Sequence, residues 1–214
     1  MGDTSRSGGR RGGGGSGVNP SDIKSTKSLI SEREAKQQLV DETMEVFRDV
    51  YNEYGADVDD IQLAEMKGRS KNGVLAYYDG ANIAVNEVYF SDRMAKAYEA
   101  CVASGFHPSN GNKTGLQAVV AHELGHKLTA DVGVKMGKTG IGSIDAVATD
   151  IVKEARKNTK HRGVVQMASK ISGYATHSNA EAIAEAFSDV YCNGKKAKAE
   201  SKAIMAVVDK YLKN

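Results

Sequence analysis

Apolar residues recur along the chain with two periods, and the change of period marks its organisation. Leu39, Val40, Met44, Phe47, Val50, Tyr51 and Tyr54 fall at helical spacing. Ser31 followed by Glu34 forms a capping-box signature ahead of them, so a helix is expected over 31–54, closed by Gly55. A β-prone stretch follows. Residues 61–66 read as a first strand, and 73–78 and 81–88 as two more, joined by Asp79-Gly80, a strong hairpin signal. Residues 91–104 read as helix and 107–113 as a polar loop. From Thr114, a plausible N-cap, the pattern is helical almost to the end. Helices are expected over 114–130, 144–158, 162–171, 179–193 and 197–213, with a glycine-punctuated loop at 133–142. The expected class is therefore α+β: a helix, a small sheet and a mostly helical C-terminal half.

Composition separates a tail from this body. Eight of the 23 glycines lie in the first 17 residues, with Arg6, Arg10 and Arg11 among them. Such a segment has little to bury against its chain entropy. Residues 1–27 are therefore expected to be a disordered Gly/Arg/Ser-rich tail, and 28–214 one domain. In 214 residues, 40% of them hydrophobic, there is enough material for a real core. The 29 basic and 27 acidic residues nearly balance, which argues against a dedicated nucleic-acid binder except through the tail. No window approaches a membrane span and no apolar signal region opens the chain, so the expectation is a protein cytoplasmic when made, with no membrane partner. Cys101 and Cys192 make no disulfide framework.

One motif carries chemistry. Ala121-His122-Glu123-Leu124-Gly125-His126 contains H-E-x-x-H inside the helix expected from Thr114. Histidines at i and i+4 share one helical face and can bind one metal, while Glu123 adjoins the first and can take a proton from a metal-bound water. Leu116, Val119, Val120, Leu124 and Leu128 supply the apolar side, and Gly125 suggests close packing or access at the metal face. A catalytic zinc needs a third protein ligand and an open position. The short-spacing pattern that places glycine and then the ligand soon after the motif fails, because Thr129 and Val132 occupy those positions. The third ligand is expected from Asn179-Ala-Glu181-Ala-Ile-Ala-Glu185-Ala-Phe-Ser-Asp189, whose acids at 181, 185 and 189 share a helical face. Two registers fit. Either Glu185 binds metal and Asp189 orients a histidine, or Glu181 binds metal and Glu185 is the carboxylate behind a histidine.

The stretch from Ile171 through Tyr174, Asn179, Glu181 and Glu185 to Phe187 resembles the active-site helix of the anthrax lethal factor-like metallopeptidases, and the Pro-Pro endopeptidases of clostridia resemble it too. In that family a tyrosine precedes the ligand glutamate by seven residues and a second glutamate follows it by four, as Tyr174, Glu181 and Glu185 do here. The resemblance covers roughly 75–193. It implies a zincin-like fold and a gluzincin activity: zinc on His122, His126 and Glu181, a zinc-bound water activated by Glu123, Tyr174 on the oxyanion and Glu185 orienting a histidine. It also implies a peptide or protein substrate bound as an added strand, for which 81–88 is the expected sheet edge. The 54 residues between His126 and Glu181 are an elaboration on that pattern. Similar modules close phage head-morphogenesis and minor capsid proteins, which the helix ending Cys192-Asn193-Gly194 resembles. That implies an alternative setting, a virion-associated structural protein with a metallopeptidase fold, restricted activity and a phage-particle partner. His107, His161 and His177 sit in polar stretches and are expected at the surface, and Tyr77, Tyr78, Tyr89 and Phe90 are expected in the core or the cleft wall.

Overall fold

The computed structural model describes residues 23–25, 37–64, 74–86, 92–140 and 142–213. In chain order the elements are β1 (Ile23–Ser25), α1 (Gln37–Tyr54), β2 (Asp60–Ala64), β3 (Ala76–Tyr78), β4 (Asn82–Asn86), α2 (Asp92–Ala103), α3 (Gly115–Lys135), α4 (Ser143–Lys157), α5 (Val164–Ile171), α6 (Asn179–Asn193) and α7 (Ala199–Leu212). Short 3-10 turns at Tyr174–Thr176 and Gly194–Lys196 bracket α6. The protein is mixed α+β and mostly helical. No helix among the described residues is long and apolar enough to cross a membrane.

The four strands lie in the order β1-β2-β4-β3. β2 runs parallel to β4, pairing Ile61 with Ile83, while β1 and β3 are antiparallel to their neighbours. The Asp79-Gly80 turn forms as expected. Asp79 accepts hydrogen bonds from the Ala81 and Asn82 N–H groups, and Gly80 takes the positive φ, 104°, that the turn requires. Two expectations fail here. The strand expected at the edge, β4, is internal, because β2 takes its outer side in parallel; the edge beside the helices is β3. Ile23–Ser25, assigned to the tail, pairs with β2 and belongs to the sheet. Its backbone groups find partners on β2, a non-local gain that outweighs a polar local composition. Ser31 and Glu34 lie outside the described residues, as do Tyr89 and Phe90.

The helical layer is built around α3. Thr114 caps it: its side chain accepts from the Gln117 N–H at 3.2 Å, and the Gln117 side chain accepts from the Thr114 N–H at 3.0 Å, completing a capping box. α3 then runs five residues past its expected end. Val132, fully buried, is held inside the core, which offsets the cost of about 1 kcal/mol for continuing helix through Gly133. The stop comes at Gly137, whose φ of 66° allows Gly137 N–H to reach the Val134 carbonyl and Lys138 N–H the Gly133 carbonyl. Leu116, Val120, Leu124, Leu128 and Val132 meet Val46 and Val50 of α1, Ile83 and Val85 of β4, Ile151 of α4, Ile183 of α6 and Ile204 of α7 in one core.

α6 lies closest to α3, and Gly125 explains how. A Cβ at Gly125 would stand 2.7 Å from the Ala184 Cα and 3.2 Å from the Phe187 Cβ. Gly125 therefore faces α6 and not the metal face. It permits the backbones to touch one turn below Glu181, and Ser188 Oγ, donating to the Ala118 carbonyl at 2.9 Å, fixes the register of the two helices.

Candidate metal centre

α3 presents His122 and His126 from successive turns, and the first turn of α6 presents Glu181 against them. Ser178 caps α6 by accepting from the Glu181 N–H at 3.1 Å, which puts Glu181 where a helix N-terminus favours negative charge. One carboxylate oxygen, Glu181 Oε2, lies 3.1 Å from His122 Nε2 and 3.6 Å from His126 Nε2. One donor atom from each of the three residues falls within 4.8 Å of the others. Glu181 Oε2 is nevertheless buried without a hydrogen-bond partner. Two imidazole nitrogens and a carboxylate oxygen converging on one point fit a divalent cation.

Glu185, one turn on, sits behind this trio. Its Oε1 is 2.9 Å from His122 Nδ1, so it receives the Nδ1–H and leaves the Nε2 lone pair for the cluster. Of the two registers, the geometry is that of Glu181 among the converging donors and Glu185 behind His122. Asp189 is different from expectation. It touches neither histidine: Oδ1 accepts from Asn193, and Oδ2 accepts from the Lys198 N–H at 2.9 Å and Ser201 Oγ at 2.6 Å. It shares the acidic face of α6, but α7 turns its own N-terminus onto that face, so Asp189 joins two helices.

Glu123 is buried beside His122, between α3 and the sheet edge. Burial raises its pKa, against the pull of His122 and His126 and a hydrogen bond from the Tyr78 backbone of β3. Tyr174 stands across the cluster, its ring 5.8 Å from that of His122. Burial, then the charges of Glu181, Glu123 and Glu185, push its pKa up to about 12, so it remains a hydroxyl donor. Glu181 is held well below the usual carboxylate range: burial pushes it up, but the two histidines outweigh burial. Burial likewise opposes the charge on Glu185, and hydrogen bonds from His107 and His122 bring it down to about 2.

His122 has a consequence for metal uptake. Burial disfavours its charge, but Glu181 and Glu185 outweigh burial and hold its pKa well above the ordinary histidine value. Before metal binds it carries a proton at neutral pH. A cation must expel the Nε2 proton while Nδ1–H stays on Glu185. Binding of a divalent cation at pH 7 is therefore expected to release about one proton, and apparent affinity to rise with pH until His122 deprotonates by itself. Calorimetry in two buffers of different ionisation enthalpy measures this; binding heats independent of buffer would contradict it.

The centre opens into a groove of about 420 Å³ edged by Ala76, Tyr77, Tyr78, Asp79 and Gly80 and lined also by Ile144. Behind His122 lies a smaller cavity of about 160 Å³, walled by Val74, Leu75, Tyr98, Phe106, Val119 and His107 among others. Two residues of this region escape sequence reasoning. His107, expected at the surface, places Nδ1 3.0 Å from Glu185 Oε1. Ser172 donates its Oγ–H to Glu185 Oε2 at 2.6 Å. Both sit on irregular segments with no spacing signal. His161, also expected at the surface, is mostly buried against Glu200, with Nε2 2.7 Å from Oε1, whereas His177 is exposed as expected. Comparison with protein-family models, with curated proteins and with solved structures finds no match to this chain.

Proposed function

We propose that the protein is a zinc-dependent endopeptidase of zincin-like fold, with His122, His126 and Glu181 as metal ligands. The observation that carries this reading is the convergence of those three donors, with Glu181 Oε2 otherwise unsatisfied, beside a buried carboxylate and a protonated tyrosine. A zinc ion held there supplies Lewis-acid polarisation and acidifies water towards a pKa of about 7. The rest falls to the chain's own residues. Glu123, with its raised pKa, accepts a proton from the attacking water as the oxygen bonds the peptide carbonyl carbon. It then delivers that proton to the amine nitrogen as the C–N bond breaks. Tyr174 donates its hydroxyl hydrogen bond to the oxygen on which negative charge develops.

The edge strand supports a peptide bound extended. On β3, Asp79 N–H donates to the Asn82 carbonyl and the Leu75 carbonyl accepts from Asn86 N–H, so positions 75, 77 and 79 face β4. The alternation turns the backbone groups of Ala76 and Tyr78 to the groove. Tyr78 N–H is taken by Glu123, which leaves the Ala76 N–H and C=O and the Tyr78 C=O to pair an incoming strand. The cavity behind His122 suits an uncharged side chain next to the scissile bond. It matches the roughly 150 Å³ that holds a benzene ring, most of its wall is apolar or aromatic, and of its two acids Glu185 is committed to His107, His122 and Ser172 while Glu123 is the proposed base.

Profiling by mass spectrometry on a peptide library tests the reading. The zinc-loaded protein is expected to cut internal bonds and to lose this on chelation; no cleavage of any peptide would count against it. Tyr174→Phe is expected to keep zinc and lower kcat by about 10²–10³-fold, the usual cost of one oxyanion donor. Unchanged kcat would remove Tyr174 from the mechanism.

A further inference from the structure

We propose that His107 is a positioning residue, holding with one ring both the carboxylate that orients His122 and the tyrosine that faces the groove. The inference rests on the metal centre proposed above.

Glu185 Oε1 lies 3.0 Å from His107 Nδ1 and 2.9 Å from His122 Nδ1. A carboxylate has no proton to give, so both imidazoles must present Nδ1–H to the same oxygen. Ser172 takes the other oxygen. Three donors from three segments thus fix one buried carboxylate. With only Ser172 and His122 on it, the carboxyl group could rotate about its last bond and carry the His122 ring with it. The His107 hydrogen bond to the same oxygen restrains that rotation, and with it the direction of the His122 Nε2 lone pair.

The ring of His107 is itself fixed. It stacks on the buried Tyr98 at 5.5 Å and 14° between planes, and meets Phe106 edge-on at 5.1 Å. Its loop is stitched to the segment bearing Ser172 and Tyr174. Gly173 N–H donates to the Gly105 carbonyl at 2.8 Å and Tyr174 N–H to the Phe106 carbonyl at 2.9 Å. The Tyr174 ring then packs on His107 at 5.3 Å. Carboxylate, ligand histidine and tyrosine are all referred to this one imidazole.

A residue that only filled space would tolerate an aromatic ring and not a small amide. A positioning donor requires the reverse. His107→Phe keeps the stack on Tyr98 and removes the N–H; His107→Asn loses the ring and keeps a donor at the δ position. Zinc affinity by chelator competition is expected to fall about 10–100-fold in His107→Phe, the usual cost of losing a partner behind a ligand, and to recover in His107→Asn. In the same variants kcat is expected to fall and recover while KM stays constant. Wild-type affinity in His107→Phe, or a loss in His107→Asn as large as in His107→Phe, would overturn the proposal.

Nitrogen-correlated NMR of the wild-type chain gives a reading that no variant's folding can spoil. His107 is expected to carry a slowly exchanging Nδ1–H, and a Nε2–H tautomer at His107 would refute the assignment. If the wild-type chain binds no zinc, the metal centre fails and the tautomer measurement still decides His107. If it binds zinc and His107→Phe binds it equally, only the positioning role fails.

Discussion

Glu123→Gln is expected to bind one zinc as the wild type does and to hydrolyse peptides about 10²–10⁴-fold more slowly. Glutamine matches glutamate in volume and retains an acceptor for the Tyr78 N–H, so the buried site between α3 and β3 has no reason to rearrange. What is lost is basicity. Burial raises the pKa of Glu123 above the ordinary carboxylate value and so strengthens it as a base, whereas an amide neither takes nor returns a proton. Because Glu123 is not among the converging donors, metal content separates this loss from a loss of the centre. Initial rates on a cleaved peptide, with zinc measured on the same samples, check it. Full activity in Glu123→Gln would remove the proposed base.

The second large effect distinguishes two acids one helical turn apart. Glu181→Ala is expected to lose zinc on gel filtration, since it deletes the oxygen facing both Nε2 atoms. The side chain is partly open to the groove and is not a packing element, so the fold is expected to remain. Glu185→Gln is expected to retain zinc with affinity weakened about 10–100-fold, because it alters only the acceptor behind His122. Glutamine is the informative substitution there. Alanine would strand the donors of His107, His122 and Ser172, at about 1–3 kcal/mol for each buried group left unpaired. Zinc retained in Glu181→Ala and lost in Glu185→Gln would reverse the two roles.

The parts of this centre that sequence discloses are those whose geometry is local. His122 and His126 share a face because a helix has a fixed period, and Glu181 and Glu185 are spaced likewise on α6. Asp79-Gly80 dictates the β3–β4 turn through backbone sterics alone. What sequence hides depends on contacts across the chain. β4 became internal because β2 pairs with it in parallel, and parallel neighbours carry no turn signal between them. Ile23–Ser25 forms a strand only because β2 offers it partners. Asp189 continues the acidic spacing of α6, yet Ser201 and Lys198 of the following segment claim it. Gly125 could be read as access or as packing, and only the approach of Ala184 decides for packing. His107, 15 residues before His122, has no periodic relation to it. The polar composition that suggested a surface loop is the same composition a hydrogen-bonded loop beside a buried carboxylate requires.

The proposed activity depends on His122, His126 and Glu181 holding one divalent ion. Anomalous diffraction at the zinc edge, on crystals of the zinc-loaded chain, tests this most directly. The expected result is one full-occupancy peak about 2.0–2.2 Å from His122 Nε2, His126 Nε2 and a Glu181 oxygen, with Glu185 still on His122 Nδ1. No peak at this cluster, or a peak ligated by Glu185 in place of Glu181, would contradict it.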